Sequence, residues 1–119
     1  MSLLYYLKFL MAAFYAYAGI NHFRQPKFYY QLTPPFLKQW EKRINVIVGV
    51  AEILGAIGLL IPSTQSAAAW GIIALLIAIF PANIYHFTSK GAGMKIPMWL
   101  LALRLPLQLV LIAWAYAYT

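Results

Sequence analysis

The chain is expected to be an all-α integral membrane protein: a four-transmembrane-helix bundle with an interfacial segment between helices 1 and 2. Three observations lead there. Of 119 residues, 64% are hydrophobic and only 9% charged, against about 45–50% and about 25% in ordinary soluble domains. So few charges cannot coat a small protein in water. The apolar residues fall into four long runs, each able to cross or nearly cross a hydrocarbon layer of about 30 Å. Strands of that length would leave backbone groups unpaired in lipid, so the runs are read as helices.

The four spans are expected at residues 3–21, 44–61, 67–87 and 96–118, with the interfacial connection at 22–43. The first run is interrupted by Lys8 alone. Ala16, Tyr17 and Ala18 resemble a leader-cleavage site, but no Lys or Arg precedes the run, and it is rich in Tyr and Phe. It is therefore read as a retained helix. The connection that follows carries Phe28, Tyr29, Tyr30, Phe36 and Trp40 among five cations, and Pro34-Pro35 breaks it. Such a segment suits the headgroup layer, and one continuous helix is not expected there. The second span contains Asn45 and Glu52. The third contains Pro81, Asn83 and His86, and the fourth Arg104, Pro106 and Gln108. The two prolines are expected to kink their helices. An uncharged turn at 62–66 joins spans two and three, and a loop with Lys90 and Lys95 joins spans three and four.

Charge sets the expected orientation. Net charge is +7, and the cations Arg24, Lys27, Lys38, Lys42, Arg43, Lys90 and Lys95 fall in the first and third connections. Cytoplasmic loops carry this excess, so both termini are expected outside the cytoplasm, with Lys8 snorkelling outward. Trp99 at one boundary, and Trp114, Tyr116 and Tyr118 at the other, fit interfacial aromatic belts. The cations are too few and too separated for a phosphate-tracking face, so no nucleic-acid partner is expected. The absence of Cys excludes thiol nucleophiles, zinc–thiolate sites and iron–sulfur clusters. With Glu41 and Glu52 as the only acids, paired-carboxylate hydrolysis and a metal centre are not expected.

Small residues mark helix seams: Gly49, Gly55, Ala56 and Gly58 on span two, the Ala74, Ala78, Ala82 stripe on span three, and Ala12, Ala16 and Gly19 on span one. The residues that need explaining are polar. Glu52 should lie about 12 Å and Arg104 about 10 Å from the cytoplasmic end of their helices. An acid at that depth needs a partner, so a Glu52–Arg104 pair is expected. Asn45 and Gly49 share the face of Glu52, Gln108 that of Arg104, Tyr15 that of His22, Tyr17 that of Asn21, and Asn83 that of His86. All four helices thus carry polar groups into the cytoplasmic half. A pocket is expected there, with Glu52, Arg104, Asn83, Asn21, His22, His86, Gln108 and Tyr17 contacting a ligand. Tyr15, Tyr17, Phe80, Tyr85 and Trp99 are expected to supply its walls. A quinone-like ring or a lipid headgroup suits this chemistry. The two His residues sit at span ends, which disfavours a haem.

The ordered set Ala18-Gly19-Ile20-Asn21-His22-Phe23, Pro26, Tyr29, Pro34-Pro35, Gly49-Val50-Ala51-Glu52-Ile53-Leu54-Gly55, Phe80-Pro81-Ala82-Asn83-Ile84-Tyr85 and Leu103-Arg104-Leu105-Pro106-Leu107-Gln108 resembles the DoxX-like membrane proteins over nearly the whole chain. That resemblance implies a four-helix protein of the bacterial inner membrane, linked to membrane redox systems, with Glu52, Asn83, Arg104, Asn21 and His22 in the family's polar positions. It further implies a redox-protein partner, because the chain has no soluble domain to act as an oxidoreductase unaided; a homo-oligomer is the partner that the small-residue seams leave open. Without Cys, no thiol role of its own is expected. A scaffold or assembly factor, in which the buried Glu–Arg pair only orients helices, is the competing expectation.

Overall fold

In the computed structural model, residues 2–88 and 97–119 are described. Ser2 starts the first helix: its hydroxyl accepts from the Tyr5 backbone N–H at 3.3 Å, satisfying one of the amides that a helix N-terminus leaves open. Helix α1 (Leu3–Arg24) then runs past the expected boundary at 21. Gln25 separates it from α2 (Pro26–Leu32), where Pro26 occupies the first turn and needs no amide partner. Thr33 and Pro34 are extended, and a 3-10 turn, Pro35–Trp40, leads directly into α3 (Glu41–Leu60). The double proline thus breaks the connection where the sequence placed the break. Helix α4 is Gln65–Thr88 and α5 is Met98–Tyr116, and both run through their internal prolines, Pro81 and Pro106. The turn before α4 is shorter than expected, because Gln65 and Ser66 are already helical. The loop bearing Lys90 and Lys95, and the expected start of the last span at 96, lie outside the described residues.

Among the described residues there is no strand. Four helical segments are long and apolar enough to cross a membrane: Leu3–Arg24, Pro35–Leu60, Gln65–Thr88 and Met98–Tyr116. Their apolar side chains face outward. On α3, Glu52 is 6% exposed while Leu54, two residues on, is 63% exposed. The inner face of that helix is Asn45, Gly49, Glu52, Gly55, Ala56 and Leu59, and the outer face includes Val46, Ile47, Val50 and Ile57. Water would penalise this arrangement and lipid accommodates it. The fold is consistent with a multi-pass membrane protein.

The helices pack in a row, α1 on α3, α3 on α4, and α4 on α5. The α1–α3 seam is the tightest. A Cβ on Gly19 would lie 2.7 Å from the Gly49 carbonyl oxygen and 2.7 Å from Ile53 Cγ1, so only hydrogen fits there. Gly58 plays the same part against Ala68 on α4, where an added Cβ would come within 2.7 Å of the Ala68 Cβ. The Ala74–Ala78–Ala82 stripe does not form a seam. Ala74 and Ala78 are exposed, and α4 buries Ala69, Ile72, Ile73 and Leu76 instead. Small side chains permit close approach but do not command it, and on α4 the larger aliphatics of the opposite face supply the interhelical packing instead.

The ends of the bundle differ. At the end bearing both termini, α5 is brought back to α1 by a polar clasp. The Tyr118 hydroxyl donates to the Leu4 carbonyl at 2.7 Å and accepts from Trp114 Nε1 at 3.1 Å. Lys8 Nζ donates to Gln65 Oε1 at 3.0 Å, and Gln65 Nε2 donates to the Tyr118 carbonyl at 3.4 Å. Below the clasp, Met11, Leu59, Ile72 and Ala115 fill an apolar core. Toward the other end the core gives way to a cavity. The connection folds across it, with Thr33 and Pro34 buried and lining it.

Candidate ligand-binding site

The cavity has a volume of about 610 Å³ and takes its walls from every helix, a size ordinary for a small-molecule site. Its lining is mainly apolar: Phe14 and Ala18 from α1, Phe36 and Leu37 from the connection, Val48 from α3, Leu75, Ile79 and Pro81 from α4, and Leu111 from α5. Polar side chains enter it in two arrays.

The first array joins α1 to α3. Asn45 Nδ2 donates to the His22 carbonyl at 2.8 Å, so its Oδ1 is the free acceptor, and His22 Nδ1 lies 2.6 Å from that oxygen. Nδ1 therefore carries the proton, and Nε2 is turned toward Glu52 Oε1 at 3.6 Å. The Tyr29 ring stacks on the imidazole with centroids 3.6 Å apart and planes 20° from parallel. Asn21 Nδ2 holds the Tyr29 hydroxyl at 2.9 Å. Burial raises the Tyr29 phenol above its ordinary value, so it stays a neutral stacking surface.

The second array joins α4 to α5. The Arg104 guanidinium donates to Asn83 Oδ1 at 3.0 Å and to His86 Nδ1 at 2.8 Å. Asn83 Nδ2 donates in turn to Gln108 Oε1. Gln108 Nε2 donates to the backbone carbonyl of Leu76, in the stretch of α4 just before Pro81 (a residue that supplies no backbone donor of its own). Each group in this chain has one orientation open to it, because an arginine can only donate.

The expected Glu52–Arg104 pair does not form. Glu52 meets His22, and Arg104 meets Asn83 and His86. Spacing along a helix does not fix azimuth: α3 turns its acid toward α1, whereas α5 packs on α4 and places its guanidinium there. Both residues still line the same cavity. Of the other expected contacts, His22 and Asn83 line it as well. Asn21, His86 and Gln108 stand behind the lining, each bonded to a residue of one array or holding one in place. Tyr17 is 62% exposed and points away from the cavity. Of the expected aromatic walls, Tyr15 contributes, while Tyr17, Phe80, Tyr85 and Trp99 are not among the lining residues. His22 and His86 belong to separate arrays and are committed to other side chains, which does not suit a pair of axial haem ligands. Among the described residues, no three of His, Cys, Asp and Glu come together as a metal-binding group.

Sequence reasoning missed Tyr29 and the Thr33–Pro34 floor. Their signal was the pair of proline breaks at Pro26 and Pro34, which reverses the chain beneath the bundle. It also assigned Asn45 to the right face without seeing that it fixes the His22 tautomer.

Two buried side-chain atoms of lining residues have no hydrogen-bond partner among the described residues: the Tyr15 hydroxyl and Glu52 Oε2. Both residues are more than nine-tenths buried, at 3% and 6% exposure. Buried polar atoms cost about 1–3 kcal/mol when unmatched, and two such atoms belong to residues lining this one cavity.

Residues 11–119 match a family model described as "Domain of unknown function (DUF8561)". The chain belongs to that family. No curated protein and no solved structure matches it. The cavity and its two arrays fall within the matched residues of this DUF8561 member.

Proposed function

We propose that this DUF8561 protein is a membrane-embedded binding protein whose cavity holds the polar head of a lipid-soluble ligand, a quinone or a lipid. The observation that carries this reading is the pair of unmatched buried atoms, Tyr15 OH and Glu52 Oε2, on residues that line a mainly apolar cavity. One can donate and both can accept, as a ligand carbonyl or hydroxyl requires. The apolar walls suit a ring or acyl chain. On the resemblance to DoxX-like proteins, the chain serves as a membrane subunit of a redox system in the bacterial inner membrane. Its electron-carrying partner is then a separate protein. The charge bias of cytoplasmic loops, applied to the cation-rich first connection, supports an orientation with the cavity in the cytoplasmic half and both termini outside.

A second reading, a scaffold whose polar arrays only orient helices, draws support from the Gln108–Leu76 tether. It leaves the two unmatched atoms without explanation. The test is purification of full-length protein, Glu52→Gln and Tyr15→Phe in mild detergent, with extraction and mass spectrometry of co-purifying quinones and lipids. Retention of a stoichiometric ligand by the wild type, and its loss from either variant at nearly unchanged Tm, supports binding. A large Tm loss in both variants, with no ligand in the wild type, supports the scaffold.

A further inference from the structure

The chain has two acidic side chains, and both are committed elsewhere: Glu41 to Lys38 at 3.6 Å, and Glu52 to His22 at 3.6 Å. Arg104 is half-buried within a span and bonded to an amide oxygen and an imidazole nitrogen. Both partners act as neutral acceptors: Asn83 carries no charge, and an imidazole that accepts at Nδ1 is not the cation. The guanidinium does not snorkel away from the bundle, because the oriented chain running to the Leu76 carbonyl holds it at the cavity. A buried cation without a bonded carboxylate is costly, and although Glu41 and Glu52 line the same cavity, neither forms an ion pair with it.

We infer that the ligand of this cavity is an anionic amphiphile: its phosphate is clamped by Arg104, a head hydroxyl donates to Glu52 Oε2, and its acyl chains follow the apolar wall. The inference rests on the binding function proposed above and narrows its ligand class. A guanidinium offers paired donors that match phosphate oxygens, and Asn83 and His86 keep its plane fixed. Glu52 lies on the α3 wall and Arg104 on the α5 wall, so a bare anion would satisfy only one of them. A phosphodiester bearing hydroxyls, such as a glycerol headgroup, satisfies both. Basic pockets between membrane helices take phospholipid heads by the same chemistry.

The experiment uses the full chain in mild detergent, with binding followed by native mass spectrometry and by Tm. The probes are phosphatidylglycerol, phosphatidylmethanol, phosphatidylcholine, inorganic phosphate and a neutral isoprenoid benzoquinone. Phosphatidylglycerol should bind saturably and about tenfold more tightly than phosphatidylcholine, and Arg104→Gln should weaken its binding about tenfold. Phosphatidylmethanol, which keeps the charge but lacks the head hydroxyls, should bind several-fold more weakly than phosphatidylglycerol in the wild type and equally in Glu52→Gln. If Arg104→Gln does not fold, Arg104→Lys keeps the charge and loses the fork, and it should still weaken phosphatidylglycerol binding several-fold. Equal binding of phosphatidylglycerol and phosphatidylcholine by the wild type overturns the inference. So does equal stabilisation by inorganic phosphate, which would make the site one for a soluble anion. Saturable quinone binding that survives Arg104→Gln, with no lipid preference, overturns the inference and leaves the binding function standing. No binding by any probe removes both.

Discussion

Replacing Gly19 with Ala tests the seam on which the first polar array depends. The added methyl would meet the Gly49 carbonyl oxygen and Ile53 Cγ1 at 2.7 Å, and the Ile53 backbone nitrogen at 3.1 Å. Ordinary contact begins near 3.4 Å. Two of the three obstacles are backbone, so no rotamer change relieves them and α1 must move away from α3 by at least about 0.7 Å. Overpacking of this kind costs about 1–3 kcal/mol. With backbone as the obstacle, the upper half of that range is expected, a Tm loss on the order of 10 °C for a chain of this size. The same displacement lengthens the His22–Glu52 contact from 3.6 Å, so ligand retention should fall with Tm. Gly71→Ala is the matched control. A Cβ there meets nothing within 4 Å, and its effect should stay within about 0.5 kcal/mol. Thermal unfolding of both variants in one detergent measures the difference. If the two behave alike, close packing of α1 on α3 is not what holds these helices together, and the geometry argued for His22 and Glu52 fails with it.

Two further outcomes are expected. Asn83→Ala and Gln108→Ala each remove two bonds of the chain, but only Asn83→Ala strips the charged guanidinium of an acceptor. Asn83→Ala should therefore destabilise more, by about 1 kcal/mol in thermal unfolding; equal losses would show that the Arg104–Asn83 bond adds nothing to stability. Because the sequence has no Cys, single-cysteine labelling reads topology without background. Gln39→Cys should react with impermeant maleimide only from the cytoplasmic side and Ser63→Cys only from the opposite side, and the reverse pattern would invert the proposed orientation.

Much of the architecture was legible in the chain itself. Apolar runs interrupted by single polar residues give helices of membrane-spanning length, and Pro34-Pro35 marks a break that no helix could bridge. The polar residues were legible for a related reason: a charged or amide side chain inside an apolar run is costly, so Glu52, Asn83 and Arg104 had to be buried and bonded. Their partners were not legible. The choice between Arg104 and His22 as the neighbour of Glu52 turns on rotations of one helix about its axis, which spacing along one helix does not encode. The same uncertainty misplaced Tyr17 and the Ala74–Ala78–Ala82 stripe.

The sequence by itself determined that the protein has four apolar helices long enough for a bilayer, a broken basic connection, and costly polar groups gathered toward one end. Those follow from local composition and from the price of unpaired groups in hydrocarbon. Only the tertiary structure decided that these groups divide into an Asn45–His22–Glu52 array and an Arg104–Asn83–Gln108 array facing one cavity. That division is set by which helix packs on which, and the Gly19–Gly49 contact settles it by drawing α1 onto α3.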